Sequence, residues 1–396
     1  MPLDNSLIER IQRSLTNLGI SAWLFYDFRF LDPLANRILG IQASKHPTRR
    51  WFFLIPAWGS PTKLVHRIES SILDHLPGQK HVYLRWEELE FSLKNMLEGH
   101  STVAMQYSPE GAIPYVSKVD AGTIDMVRRL AKTVISSADL VQSFEAVLTS
   151  AQLQEHLRAS RAISSIVLDA FQFTSSKIRE RGTSTETEVQ DYILKRFQEQ
   201  DLVTDSGPIV AVNRNSSDPH YETSSGKTTR IRSGDLLLID LWAKTSQSNS
   251  IYADITWTAF FGKDPEQIMK NVFEVVRQGR DQGFRFLYQH RNTDELPYGW
   301  EVDDIVRKTI CDLGFGDSFV HRTGHNLGKE IHGNGVNFDN LETHDTRRLI
   351  PGILCTLEPG VYLNNFGIRS EINVYIGNKG PEITTPPQDR IICLPE

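Results

Sequence analysis

The chain has 396 residues, more than a single hydrophobic core usually serves, so two domains are expected, each able to bury a core of its own. Its 43 Lys and Arg are interspersed with 49 Asp and Glu for a net charge of −6, which leaves no basic block for nucleic acid or an anionic membrane to bind. No stretch reaches the ~20 apolar residues of a membrane span, and the opening MPLDNSLIERIQRSL mixes acids with bases and lacks an apolar segment, so no secretory signal is read and a cytoplasmic location is expected.

Within residues 1–145 the apolar runs AWLFY, RWFFLIPA, TKLVHRI, KHVYLRW and TVAMQY read as strands, and LIERIQRSLTNLG and AGTIDMVRRLAK as amphipathic helices, which makes an α/β domain. A long helix is expected over about residues 150–179, with Leu153, Leu157, Ile163, Ile166, Ala170 and Phe171 marking one face. TETEVQDYILKRFQEQ continues as a second helix, with Thr185 and Glu188 as a capping box and Val189, Tyr192, Ile193 and Phe197 at helical spacing. The domain boundary is therefore placed at 145, leaving 146–396 as the second domain. There PIVAV, DLLLIDLWA and IYADITWTAFFG read as strands, followed by helices over about 265–288 and at VDDIVRKTICDLG, then late strands ILCTLEPGVYL and GIRSEINVYIG. Strands and helices do not alternate strictly, which points to an α+β class. Cys311, Cys355 and Cys393 are isolated in apolar surroundings and read as core residues, not as a disulfide or zinc framework.

Three of these strands carry an acid inside an apolar run: Asp240 in LLLIDLWA, Asp254 in IYADITWTAFF and Glu371 in GIRSEINVYI. A fourth acid, Glu358, ends a run before a Pro-Gly turn. Any one of them could sit on the wet face of a half-buried strand, but an unpaired buried carboxylate is costly, and four invite a shared explanation. The stretch HRTGHNLGKEIHG adds His321, His325 and His332 among glycines. A pair of divalent ions would balance four carboxylates and accept a neutral imidazole. An oxygen-rich set suits manganese or magnesium, and one imidazole tilts the choice to a transition metal, Mn²⁺ first, with Co²⁺ or Zn²⁺ as alternatives. GxxxxGK[ST], a GxGxxG between strand and helix, and HExxH are all absent, which argues against an NTPase, a dinucleotide enzyme and a helix-mounted zinc protease.

In chain order Asp240, Asp254, His325 in TGHNLG, Glu358 in TLEPGVY and Glu371 in GIRSE resemble the five-ligand signature of the pita-bread (M24) metallopeptidases. The whole chain resembles their Xaa-Pro peptidase branch, in which a smaller creatinase-like N-terminal α/β domain precedes the pita-bread catalytic domain; the likeness is strong over 207–375 and loose before 145. The resemblance implies two metal ions, with Asp240 on one, Asp254 and Glu371 bridging, and His325 and Glu358 on the other. It implies that a metal-bridging hydroxide attacks an Xaa-Pro bond, that Glu358 shuttles the proton, and that His332 meets the substrate and the developing oxyanion. His220 in DPHYE and His321 would contact substrate, and Arg369 would order the acids beside it. The favoured activity is that of an Xaa-Pro dipeptidase (prolidase), with aminopeptidase P acting on longer peptides as the alternative. An inactive interaction module on the same fold is the alternative of another class. A proline-containing di- or oligopeptide is the implied ligand and a homodimer the implied assembly. Three features depart from the pattern without altering a ligand: a long segment between Asp240 and Asp254, Arg322 and Asn326 where glycines are common, and Gly333 where an acid is usual.

Overall fold

The computed structural model describes residues 5–41, 47–131, 133–223, 229–293 and 295–395; Met1–Asp4 and Lys132, which end two of the segments read from the sequence, lie outside the described residues. The chain divides into two compact units, Met1–Glu145 and Ala146–Glu396. No helix among the described residues is long and apolar enough to cross a membrane.

The first unit is a mixed six-stranded sheet with helices α1 (Asn5–Asn17), α2 (Pro33–Ile38), α3 (Trp86–Leu97), α4 (Ala121–Leu130) and α5 (Ala138–Glu145). Its strands are β1 (Ala22–Asp27), β2 (Trp51–Pro56), β3 (Thr62–His66), β4 (Gln79–Tyr83), β5 (Thr102–Met105) and β6 (Thr133–Ser136), in the order β4-β3-β2-β1-β5-β6. Strand β1 is apolar on both faces because both are covered: Trp23 and Phe25 join Ile11 and Leu15 in one core, Leu24 and Tyr26 join Leu89 and Leu93 in another. KHVYLRW is not one strand as read. Strand β4 ends at Tyr83 and α3 begins at Trp86, because Glu88 reaches back to accept from the Leu84 and Arg85 N–H groups. Elements α2, α5 and β6 are six, eight and four residues long, too short to repeat a period visibly in the sequence.

The second unit opens with α6 (Ser150–Arg181), β7 (Ser184–Thr185) and α7 (Glu186–Glu199). Thr185 and Glu188 form the capping box of α7. The buried face of α6 runs through His156, Ala159, Ser160, Ile163, Ile166, Val167, Ala170 and Phe171, whereas Leu153 and Leu157, expected on it, are half-buried. At this end the helix buries a polar ring instead: His156 bonds the Tyr252 carbonyl at 2.8 Å and Thr384 Oγ1 at 2.7 Å. Strands β8 (Leu202–Val203), β9 (Ile209–Val212), β10 (Arg230–Ile231), β11 (Leu236–Thr245) and β12 (Ala253–Phe260) follow, then α8 (Gln267–Gln289) and α9 (Gly299–Asp312). Late in the chain come β13 (Leu354–Leu357), β14 (Gly360–Tyr362), β15 (Gly367–Arg369), β16 (Ile372–Gly377), β17 (Gly380–Ile383) and β18 (Ile392–Cys393).

Strand β11 pairs antiparallel with β12 on one side and with β8 and β9 on the other, while β13, β16 and β17 form a separate sheet and β14 and β15 a ribbon. The long segment after Asp240 extends the hairpin without a bulge: β11–β12 pairing runs unbroken to Ala243–Ala253, and Lys244 and Thr245 go on to pair with β8. Leu237, Ile239, Leu241, Ile255 and Trp257 pack under α6 and α7 against Ile163, Phe171, Val189, Ile193 and Phe197. Each such side chain contributes about 1.5–3 kcal/mol on full burial, so the two-residue period fixes the register and turns Asp240, Asp254, Thr256 and Thr258 to the opposite face. Beyond that face lies a second apolar layer, with Val302, Cys355, Leu357, Ile372 and Val374 in one cluster and Val276, Val306, Ile310 and Ile368 in another. Helices and sheets are segregated into layers, an α+β arrangement. Of the cysteines read as core, Cys355 is buried, but Cys311 and Cys393 are exposed; on α9 it is the neighbouring Ile310 that takes the inward face.

Candidate metal centre

Asp240 lies opposite Thr256 and Asp254 opposite Trp242, so the two acids are diagonal neighbours on one face of the hairpin. Glu371 is not inside a strand as read from the sequence. It sits in the break between β15 and β16, just as Glu358 sits between β13 and β14. Each break frees a carboxylate from the alternation of its strand. The histidine-rich stretch is irregular but pinned to β13: His325 N–H donates to Thr356 Oγ1 at 2.9 Å, Thr356 N–H to the His325 carbonyl at 2.9 Å, and Leu327 N–H to the Leu354 carbonyl at 2.8 Å. Gly324 is required here because a Cβ would stand 2.1 Å from the Thr356 carbonyl oxygen.

Ligand atoms of Asp254, His325 and Glu371 lie within 4.8 Å of one another. His325 Nε2 stands 3.7 Å from Asp254 Oδ2 and 3.3 Å from Glu358 Oε1. Asp240 joins the group through Arg369, whose guanidinium pairs with Asp240 Oδ2 and stands 3.9 Å from Glu358 Oε2. Arg369 also donates to Thr256 Oγ1 at 2.9 Å, and that hydroxyl donates to Glu371 Oε2 at 2.8 Å. The Asn326 carbonyl, 3.2 Å from His325 Nδ1, can only accept, so Nδ1 carries the proton and Nε2 turns a lone pair toward the acids.

One guanidinium faces four carboxylates. Burial, and then the charge of Glu371, hold the Asp254 carboxyl well above its ordinary range; burial and then Glu358 do the same for Glu371. Burial pushes Glu358 up to about 7 against the opposing pull of Arg369. Burial keeps His325 neutral by lowering its pKa. Asp240 Oδ1, Asp254 Oδ1 and Glu371 Oε1 are buried and have no hydrogen-bond partner among the described residues. Orphaned, mutually repelling carboxylate oxygens beside a neutral imidazole lone pair are the donor set that divalent cations satisfy, so the residues present fit a metal.

The other residues singled out from the sequence fall around this group. The His332 ring stands edge-on to His325 with centroids 4.5 Å apart and is itself exposed. His220 is exposed, and its charge acts on His332. His321 is turned inward: its Nδ1 bonds the Arg322 carbonyl at 2.7 Å and its Nε2 the Tyr362 hydroxyl at 2.8 Å. That hydroxyl in turn accepts from Arg369 at 3.0 Å. Sequence reasoning missed Thr256, Thr356, Tyr362 and Asn373. Thr256 was within reach, since it shares the period-two face of Asp254; the other three gave no signal until the strands were placed. Asn326 and Gly333 are sterically coupled, because a Cβ on residue 333 would lie 2.2 Å from Asn326 Oδ1, an oxygen held by Gly335 N–H at 2.9 Å.

The model of metallopeptidase family M24 matches residues 155–378. The Xaa-Pro dipeptidase of Pyrococcus furiosus is 27% identical over 255 residues, which cover 64% of this chain and 67% of that protein. The uncharacterized peptidase YqhT of Bacillus subtilis is 31% identical over 267 residues, covering 65% of this chain and 69% of that one. Among solved structures, the prolidase of Pyrococcus horikoshii OT3 matches with a TM-score of 0.61 at 21% identity, over 97% of this chain and 99% of its own. The family match over residues 155–378, with a fold shared with a solved prolidase, defines a pita-bread metallopeptidase. The chain belongs to metallopeptidase family M24.

Proposed function

We propose that this enzyme is an Xaa-Pro dipeptidase that uses two divalent ions, Mn²⁺ first among them, held by Asp240, Asp254, His325, Glu358 and Glu371. The observation that carries the reading is the set of buried, unpartnered oxygens on Asp240, Asp254 and Glu371 around the His325 lone pair, in a chain whose relatives include named Xaa-Pro dipeptidases. When bound, such ions lower the pKa of a water and polarise the scissile carbonyl.

The chain's own residues do the rest. Glu358, 15% of whose side chain is exposed, takes a proton from the attacking water and delivers it to the leaving nitrogen. That delivery matters for an Xaa-Pro bond, a tertiary amide without N–H whose nitrogen must leave as a secondary amine. His332 and His220, both on the exposed side, face the substrate, and His332 steadies the developing oxyanion. His321 and Arg369, whose bonds run inward, serve the substrate by holding Tyr362 and the acids in place. A cytoplasmic homodimer belongs to the same reading.

Turnover of Ala-Pro and Ala-Pro-Ala with Mn²⁺ tests it. The dipeptide should be the faster substrate. Faster cleavage of the tripeptide would reassign the enzyme as an aminopeptidase P, and a folded chain that hydrolyses neither and binds no metal would be an interaction module.

A further inference from the structure

We infer that Asn373 is a positioning residue that sets the spacing between Asp254 and Glu371. The inference rests on the metal reading of these acids. Strand β12, which carries Asp254, and strand β16, which follows Glu371, belong to different sheets, and no backbone ladder joins them among the described residues. Besides the bond from Thr256 to the Glu371 carboxylate, what reaches from β16 to the backbone of β12 among the described residues is one side chain. Asn373 Nδ2 donates to the Asp254 carbonyl at 2.7 Å, and Asn373 Oδ1 accepts from the Asp254 N–H at 3.0 Å. A single amide thus satisfies both backbone groups of Asp254, as a neighbouring strand would. Asn373 lies two residues beyond Glu371 along the extended chain, so the clamp ties the backbone of one proposed bridging acid to that of the other.

The clamp is itself held. Asn373 N–H donates to Thr385 Oγ1 at 2.8 Å, and its carbonyl accepts from Thr384 N–H at 2.9 Å. Thr384 Oγ1 bonds His156 Nε2 at 2.7 Å, and His156 Nδ1 bonds the Tyr252 carbonyl at 2.8 Å, two residues before Asp254. The carbonyl can only accept, so Nδ1 carries the proton and Nε2 accepts from the threonine. The bonds therefore close a ring from Asp254 through Asn373, Thr384 and His156 back to Tyr252. His156 and Asn373 are both fully buried. This assigns a role to the buried histidine of α6. Neither neighbouring amide nor acid can replace asparagine: glutamine is a methylene too long, and aspartate would set an oxygen against the Asp254 carbonyl.

Strand β12 supplies its own control. Gln388 grips Thr258 in the same way, accepting from its N–H at 2.9 Å and donating to its carbonyl at 2.6 Å, where no proposed ligand is involved. The full chain and its Asn373→Ala, Asn373→Ser, Gln388→Ala and Asp254→Ala variants would be stripped with chelator. Each is then measured for metal-free melting midpoint, Mn²⁺ content and affinity by competition with a fluorescent chelator, and kcat and KM on Ala-Pro. Asn373→Ala and Gln388→Ala should both lower the midpoint. Of these two, Asn373→Ala alone should weaken Mn²⁺ binding, by roughly 10- to 100-fold, and lower kcat more than it raises KM. Asn373→Ser, too short to reach both backbone groups, covers the case in which the alanine variant does not fold, and should weaken Mn²⁺ binding in the same way. Equal Mn²⁺ affinity in the Asn373 and Gln388 variants overturns the positioning role, provided wild type binds Mn²⁺ and Asp254→Ala does not. A folded wild type that binds no Mn²⁺ overturns the metal reading, and the inference with it.

Discussion

Arg369→Met keeps the aliphatic stem and removes the guanidinium that faces the acids. That group pairs with Asp240, donates to Thr256 Oγ1 at 2.9 Å, to Tyr362 at 3.0 Å and to the Pro219 carbonyl at 3.4 Å, and stands 3.9 Å from Glu358. Only 5% of its side chain and 12% of that of Asp240 are exposed, so solvent screens the pair weakly. Deleting one partner of a buried ion pair leaves the other uncompensated at a cost of about 3–5 kcal/mol, and the metal-free variant should lose that much. If the same carboxylates hold divalent cations, bound Mn²⁺ supplies the missing positive charge and the loss should shrink. Urea unfolding of wild type and variant, each with chelator and with saturating Mn²⁺, measures the four stabilities needed. A loss below about 1 kcal/mol in chelator would place the pair in the class of screened surface bridges, and an equal loss with and without Mn²⁺ would separate Arg369 from the metal site.

Two further outcomes follow from the same geometry. Glu358 has its folded pKa raised from 4.5 to about 7, so between those values the folded state binds more protons than the unfolded one, and its carboxyl weakens the metal-free fold as pH rises. Buried His156 and half-buried His321, lowered to about 4 and about 3 mainly by desolvation, titrate in the opposite sense, so the comparison is with Glu358→Gln. In chelator that variant should gain on wild type by about 3 kcal/mol from pH ~4.5 to above ~7, and a difference in urea stability that does not change with pH sinks the assignment. Gly333→Ala sets a Cβ 2.2 Å from Asn326 Oδ1, whose amide is pinned by Gly335 N–H and the Leu354 carbonyl, each at 2.9 Å; it should cost about 1–3 kcal/mol. The cost should fall in an Asn326→Ala background, and a double-mutant cycle with no coupling would refute the steric link between the two positions.

The alternation of β12, with Asp254, Thr256 and Thr258 against Ile255, Trp257 and Ala259, was legible in the sequence, because a period of two survives in any sheet that buries one side; β11 is an unbroken apolar run around Asp240, and the pairing register is what puts Asp240 on the same face. The capping box at Thr185 and Glu188 was legible for the same local reason: its bonds close within three residues. The run GIRSEINVYI looked like one strand because Ile368 and Ile372 lie on either side of Glu371, yet pairing stops at Arg369 and resumes at Ile372, a break decided by which strands stand alongside. Leu153 and Leu157 fitted a helical stripe, but on that turn of α6 the side chain that faces inward is His156, bonded to the Tyr252 carbonyl and Thr384 Oγ1. Residue type could nominate four acids and a stretch with three histidines, and the family resemblance singled out His325 among them. Only the packed layers could decide how near they come, because Asp240 and Arg369 are 129 residues apart in sequence and Asp254 and Asn373 are 119. Contacts across such separations depend on the register of sheets that share no ladder, and nothing local in the chain encodes it.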